Sequence, residues 1–388
     1  MAVAPGAKAD AENEVRRIVI SGYYGFRNSG DEAVLKSILS ALAEEGARQG
    51  VRIEPVVLSA DPEGTSRMYG VEAVHRMRPA DLMRAIRSSD GLISGGGSLL
   101  QDATGKLTIP YYTGIMRLAQ LLRKPTFVYA QGIGPVNRRW MDPLIRGVMR
   151  RSAYVSVRDA ESAELLGRIG VARNRIEVVP DPVMGLPLPS GAGGTAADTP
   201  RRTAAAEAGA PVIGVSLRHW RSDGADLGRA AAALGALARS RAVRLRFLPF
   251  HTPADAETSR LVMEQLGELP AGSSVELAEP GDDPQQMLLE VSRCDLLFGM
   301  RLHALIYAAN QAIPMLGLSY DPKIDQFLKR IGMKPIGTTE SLDAAAFVAE
   351  AERLLENRDA WLVQHREEFD KLKQEARKPA QHIVGLLR

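Results

Sequence analysis

Apolar runs of strand length alternate with segments of helical period along almost the whole chain. In the first half, 17–21, 53–58, 91–94, 126–130, 154–157 and 176–179 read as strands. Between them, 31–42, 111–122, 143–151 and 160–169 read as helices. From 182 to 211 the pattern stops, and a stretch rich in Pro, Gly, Ala and Thr reads as a linker. Alternation resumes with strands at 212–217, 244–249, 275–278, 296–298 and 315–318. The helices of this half are 227–238, 254–266, 284–293, 302–310 and 322–331, and 341–388 is nearly all helical and strongly charged. The expectation is an α/β chain with two Rossmann-like domains facing a cleft and a C-terminal helical tail. Its boundaries read as a flexible extension at 1–15, a first domain at 16–182, a linker at 183–211, a second domain at 212–338 and a helical segment at 339–388. A length of 388 residues fits two cores better than one.

The strand ends carry the candidate chemistry. The run 295–299 leads into Met300-Arg301-Leu302-His303, and the next apolar run stops at Tyr320-Asp321-Pro322-Lys323. In a strand–helix–strand unit with parallel strands, a right-handed crossover puts both ends on one sheet edge. Arg301, His303 and Lys323 then share a crevice suited to a small polyanion. In the first half, the strand at 17–21 opens into a glycine-rich loop holding Tyr23, Asn28, Gly30 and Asp31. Asn28 and Asp31 can order that loop and cap the following helix, or the loop is simply a tight turn with a good cap. Gly95-Gly96-Gly97 follows the strand at 91–94 and reads as a place where something approaches the backbone closely. Gln131 and Arg158 end two further strands, and Arg158 is aimed at the cleft or paired with Asp159 or Glu161. Arg218, His219 and His251 occupy strand ends of the second half.

Composition narrows the classes. Hydrophobic residues at 45% and charged residues at 24% are ordinary for a globular chain, and a net charge of +3 implies no bulk polyanion partner. Aromatics at 5% do not interleave with a basic stripe, so nucleic acid is not expected as a partner. The basic excess is local, on the helical segment from Arg138 to Arg151 and in the tail after Lys371. The single Cys294 excludes an internal disulfide and reads as a buried structural thiol. No secretory signal and no apolar run of membrane-spanning length is present, so a cytoplasmic protein is expected. There is no His-Glu-x-x-His, Cys pair, Walker loop or Gly-x-Ser-x-Gly elbow, so no metal site is expected.

Taken in order, Gly22-Tyr-Tyr-Gly through Gly30-Asp-Glu32, Gly95-Gly-Gly-Ser-Leu-Leu-Gln-Asp102, Ala130-Gln-Gly-Ile-Gly-Pro135, Val157-Arg-Asp159, Met300-Arg-Leu-His303 and Tyr320-Asp-Pro-Lys323 closely resemble the polysaccharide pyruvyltransferases. The resemblance is closest to the bacterial CsaB type and covers about residues 16–335. It implies a GT-B-like fold and transfer of pyruvate from phosphoenolpyruvate onto two hydroxyls of one sugar, as a cyclic ketal, with release of phosphate. For the CsaB type the implied acceptor is the N-acetylmannosamine of a lipid-linked ManNAc–GlcNAc disaccharide, ketalised at O4 and O6, whose carboxylate anchors surface-layer proteins. By motif position, His303 looks like the catalytic histidine, and Arg158, Arg301 and Lys323 look like donor-binding cations, with Arg218 added to that set. Tyr23, Asn28, Gly30, Asp31, Gly95, Gly96, Gly97 and Gln131 would then form the acceptor-side loops. No cofactor is expected beyond phosphoenolpyruvate as co-substrate, and a lipid-linked acceptor implies peripheral contact with the inner membrane surface.

The proton count fits that reading. Two hydroxyls lose protons, the new methyl group gains one and phosphate can carry the other, which suits a group titrating near neutrality. Two alternatives remain open from the residues: a nucleotide-sugar glycosyltransferase on the same fold, and a non-catalytic glycan-binding protein.

Overall fold

The structure, a computed structural model, describes residues 14–103, 105–189, 191 and 209–388. The first lobe runs β1 (Glu14–Tyr24), α1 (Ser29–Gln49), β2 (Val51–Ser59), α2 (Pro62–Tyr69), β3 (Glu72–His75), α3 (Pro79–Arg87) and β4 (Gly91–Ser94). It continues with β5 (Gly97–Leu100), α4 (Thr108–Leu121), β6 (Thr126–Ile133), α5 (Asp142–Met149), β7 (Tyr154–Val157), α6 (Ala160–Arg168) and β8 (Glu177–Val178). Every pairing is parallel, in the order β3-β2-β1-β4-β6-β7-β8, with β5 against β6.

The second lobe repeats the scheme with β9 (Val212–Ser216), α7 (Ala225–Ser240), β10 (Arg244–Phe247), α8 (Ala254–Leu266), β11 (Ser274–Leu277) and α9 (Pro284–Ser292). Then come β12 (Leu296–Gly299), α10 (Leu302–Asn310), β13 (Met315–Ser319), α11 (Pro322–Arg330) and β14 (Gly337–Thr338). Its order is β11-β10-β9-β12-β13-β14, again parallel. Both sheets therefore reverse strand order once, between β1 and β4 and between β9 and β12, where doubly wound sheets open a crevice. β4, β6, β9, β12 and β13 are buried from end to end, which is why they read as continuous apolar runs.

Two helices close the chain, α12 (Ala344–Glu356) and α13 (Arg358–Leu387). α12 packs on α7, whereas α13 crosses back to lie against α1, β6 and β7 of the first lobe. Its inward face places Phe369, Leu372, Ile383 and Val384 in one apolar cluster with α1, the turn after β8 and the second lobe. A second cluster lies on the other face of the first sheet, under α3 to α6. Cys294 is buried beneath the second sheet, where its thiol lies 2.8 Å from the place a Cβ on Gly214 would take, and burial pushes its pKa up to about 12.

Residues 182–186 lie within the Pro- and Gly-rich stretch, yet Pro182, Val183, Met184 and Leu186 are buried. Asn310, at the end of α10, donates from Nδ2 to the carbonyls of Val183, Met184 and Leu186 at 2.8, 3.0 and 3.0 Å. The remainder of the stretch read as a linker lies largely outside the described residues, as does the extension before Glu14.

Candidate active site

The two lobes meet through the carboxyl ends of their strands. The Asn28 backbone bridges to His251, and Ser29 N–H donates to the Phe250 carbonyl at 3.3 Å. Asn28 caps α1, its side chain accepting from Gly30 N–H at 3.1 Å. The first turn of α1 then presents Gly30, Asp31 and Glu32 in different directions. A Cβ on Gly30 would stand 2.2 Å from Nδ1 of His303, so the imidazole rests directly on this glycine's backbone. His303 itself opens α10, just after the buried strand β12 ends.

Asp181 sits between the lobes and joins their charges. Its Oδ2 accepts from Nη1 of Arg158 at 3.1 Å and lies 4.0 Å from His303 Nε2. Arg158, only 9% exposed, also donates to Ser98 Oγ at 2.8 Å. Nε2 of His303 is buried and makes no hydrogen bond among the described residues. Burial holds the imidazole below its usual pKa; Asp181 opposes that shift, while Arg158, Arg301 and Lys323 add to it. A neutral imidazole with a free nitrogen is a competent base.

Asp31 has the opposite perturbation. Burial pushes its carboxyl up to about 7, against the attraction of Arg158 and with help from Glu32 and Asp181. It reaches toward Gly97, where a Cβ would come 2.8 Å from Oδ1 and where φ is +87°. Thus a raised carboxyl and a depressed imidazole stand on the first turns of two helices, one per lobe, and both feel the charges of Arg158 and Asp181. Next to them opens a cavity of about 580 Å³ lined by Arg158, Asp181, Leu302, Lys323, Gln326 and Arg330. Burial first, and the Arg158 charge second, lower the pKa of Lys323. Arg330 donates to the carbonyl of Arg158 at 3.1 Å, tying α11 to the end of β7.

Other sequence candidates are placed differently. Arg301 turns toward α8, where its Nε donates to Asp255 at 3.0 Å and Nη2 completes a bidentate pair. The buried Asp255, 1% exposed, requires that cation, so Arg301 acts on His303 through its field rather than by opening into the cavity. Arg218 lies against the touching rings of Trp220 and Tyr320, at 5.2 and 5.0 Å, and donates to the Tyr320 hydroxyl at 3.0 Å. The close approach expected at the triple glycine is made by the chain itself. Gly95 lies under the Tyr24 hydroxyl and Gly96 under Val34. Gln131 is fully buried, with Nε2 3.4 Å from Ser94 Oγ, and Tyr23 stacks on Phe26 at the surface at 4.0 Å. His219 is exposed.

Asp181, Asp255 and Ser98 were not among the sequence candidates. Asp181 follows Pro180 in a segment without a strand–helix signal, and only the fold brings it to residue 303. Among the described residues no group of three or more His, Cys, Asp or Glu side chains could hold a metal ion, and no helix is long and apolar enough to cross a membrane.

One family model, polysaccharide pyruvyl transferase, matches residues 28–322, a span that takes in Asp31, the Gly95–Asp102 and Ala130–Pro135 blocks, Arg158, Asp181 and the Met300–His303 block. The chain belongs to that family. It is an enzyme that transfers pyruvate to polysaccharide. No curated protein matches the chain. Among solved structures, it is similar to the UDP-GlcNAc 2-epimerase from Neisseria meningitidis bound to UDP-GlcNAc, with a TM-score of 0.60 at 12% identity over 93% of this chain and 97% of that one. Anabaena Alr3699/HepE in complex with UDP and glucose gives a TM-score of 0.58 at 13% identity, covering 96% and 99%. The UDP-GlcNAc 2-epimerase from Methanocaldococcus jannaschii gives 0.58 at 9%, covering 87% and 92%. At such identities the likeness concerns the fold, and it identifies the pyruvyl transferase as a GT-B-type α/β protein.

Proposed function

We propose that this pyruvyl transferase is of the CsaB type and moves pyruvate from phosphoenolpyruvate to O4 and O6 of the ManNAc of a lipid-linked ManNAc–GlcNAc precursor. The ketal carboxylate on the finished cell-wall polymer would serve to anchor surface-layer proteins. The observation that carries the reading is the Arg158–Asp181 pair, which lines the cavity with Lys323 and acts on both a depressed His303 and a raised Asp31. Phosphoenolpyruvate carries a carboxylate and a phosphate on one small frame, and fixed cations are what such a donor needs. Arg158 and Lys323 supply them at the cavity wall, and Arg218 stands at the neighbouring strand end.

In this scheme protonated Asp31 gives its proton to C3 of the donor, turning the methylene into a methyl and leaving an oxocarbenium at C2. One sugar hydroxyl attacks C2 and loses its proton to His303. The C2–O bond to phosphate breaks, the second hydroxyl closes the ketal, and its proton leaves on phosphate. The proton held by His303 returns to Asp31, so charge balances over a turnover. Tyr23, Asn28, Gly30, Gly95, Gly96, Gly97 and Gln131 belong to the acceptor-side wall, most of them shaping it through backbone and packing.

The test is phosphate release with purified enzyme, phosphoenolpyruvate and a soluble disaccharide acceptor fragment, with the product weighed by mass spectrometry. Release must need both substrates and add a pyruvate ketal to the acceptor. His303→Gln should lower kcat by about 10²–10⁴-fold while donor binding changes little. Turnover with a nucleotide sugar, or an unchanged rate in His303→Gln, would sink the proposal.

A further inference from the structure

The carboxyl-edge rim of the first lobe combines apolar and basic side chains in a way the reaction chemistry does not use. Residues 76–151 carry thirteen Lys or Arg against four Asp or Glu, a formal +9 in a chain whose total is +3. Beside this excess, the loops that follow β1, β3, β5 and β6 expose four large apolar side chains. Phe26 is 40% exposed, Met77 63%, Leu107 77% and Trp140 59%.

These positions are continuous. Phe26 and Tyr111 flank the Arg76 guanidinium at 5.3 and 4.6 Å, which places the β1 and β3 loops side by side. The Tyr111 hydroxyl donates to the Arg76 carbonyl at 2.8 Å, and Leu107 lies one helical turn before Tyr111. Asp102, in the same loop as Leu107, accepts from the backbone N–H groups of Asn137 and Arg138, bringing in the turn that holds Trp140. Around the apolar groups stand the exposed cations Arg27, Arg78, Lys106 and Arg139. Asp102 is buried and committed to Asn137 and Arg138, Asp61 and Glu63 stand after β2, and Asp282 of the second lobe lies 3.9 Å from Arg27, so Arg78, Lys106 and Arg139 carry the charge of the rim.

We infer that this rim is a docking surface for an anionic phospholipid bilayer. Exposed apolar side chains of this size gain by entering the headgroup boundary, and cations beside them gain from the negative surface potential. An acidic protein or a nucleic acid would use the cations and leave Met77, Leu107 and Trp140 in water, so the apolar members favour lipid. Because the rim borders the cleft mouth, docking would hold the cleft against the surface. The inference stands independently of which sugar or donor the enzyme uses.

The test is co-sedimentation of the full chain with phosphatidylcholine vesicles containing or lacking phosphatidylglycerol. Binding is expected to the anionic vesicles only and to weaken as salt shortens the Debye length. Leu107→Ser with Trp140→Ser should weaken it about tenfold or more, as should Lys106→Glu with Arg139→Glu. Arg366→Glu with Lys371→Glu, on α13, should leave it unchanged. Met77→Ser with Arg78→Glu is a second rim pair should either of the first two fail to fold, and turnover of a soluble acceptor should survive the serine pair. Absence of vesicle binding, an equal loss in the α13 variant, or binding that tolerates the serine pair and is lost only on charge reversal would overturn the inference, the last outcome marking a plain polyanion surface.

Discussion

Asp31 and His303 are perturbed in opposite directions, and both perturbations have consequences in solution. With His303 as base and Asp31 as acid, kcat/KM should follow a bell. Its acid limb lies below the ordinary imidazole range and its alkaline limb near 7, measured across pH with saturating acceptor. Asp31→Asn should remove most activity and yet stabilise the fold at alkaline pH. A carboxyl whose pKa rises on folding contributes stability that is complete below the ordinary carboxylate range and lost as pH passes through about 7. The asparagine escapes that loss, so its unfolding temperature should exceed the parent's at pH 8 by several degrees and match it near pH 4. Gly30→Ala puts a methyl into the imidazole ring and should depress kcat while leaving the unfolding midpoint less affected. The sequence made His303, Arg158 and Asp31 legible because each ends a strand or starts a helix. Asp181 and Asp255 were not legible, since each acts on a residue far along the chain, 122 and 46 positions away. Arg301 and His303 are two residues apart and were read as one cluster, but the helix start sends them to different walls.

At the level of elements, α10 connects site and framework. It carries His303 at its first turn and Asn310 at its end, and Asn310 holds the 182–186 turn through three carbonyls. Asn310→Ala should leave buried acceptors unpaired and cost about 1–3 kcal/mol, read as a lower denaturant midpoint at unchanged slope. Because Asp181 immediately precedes that turn, the same variant should also lower kcat. The β12–α10–β13 unit was readable because both strands are wholly buried and the helix period between them is clear. β5 was hidden because Gly97-Ser-Leu-Leu100 is short and its glycine suggested a loop. β3, with no fully buried residue, and the short helices α2 and α3 lacked an apolar run strong enough to register.

For the whole molecule, the decisive element is α13. Its helical pattern was visible in the sequence, but periodicity tells which face is apolar and not what that face covers. In the structure it closes the core of the opposite lobe, and the Leu387 carbonyl accepts from Arg16 on β1. Removal of residues 358–388 should therefore abolish cooperative unfolding of the first lobe as well as the second, seen by calorimetry. The milder Ile383→Ala should cost about 2–5 kcal/mol in denaturant titration.

Cys294 gives the chain an experimental property. It is the only sulfhydryl in 388 residues, it is 1% exposed, and its acidity is suppressed. The native protein is therefore silent toward maleimide and spin-label reagents without any cysteine being removed. Arg84→Cys in the first lobe and Leu261→Cys in the second, both on exposed helix faces, would accept a donor–acceptor dye pair on an otherwise unaltered background. The distance between the lobes could then be followed in real time as donor and acceptor substrates arrive.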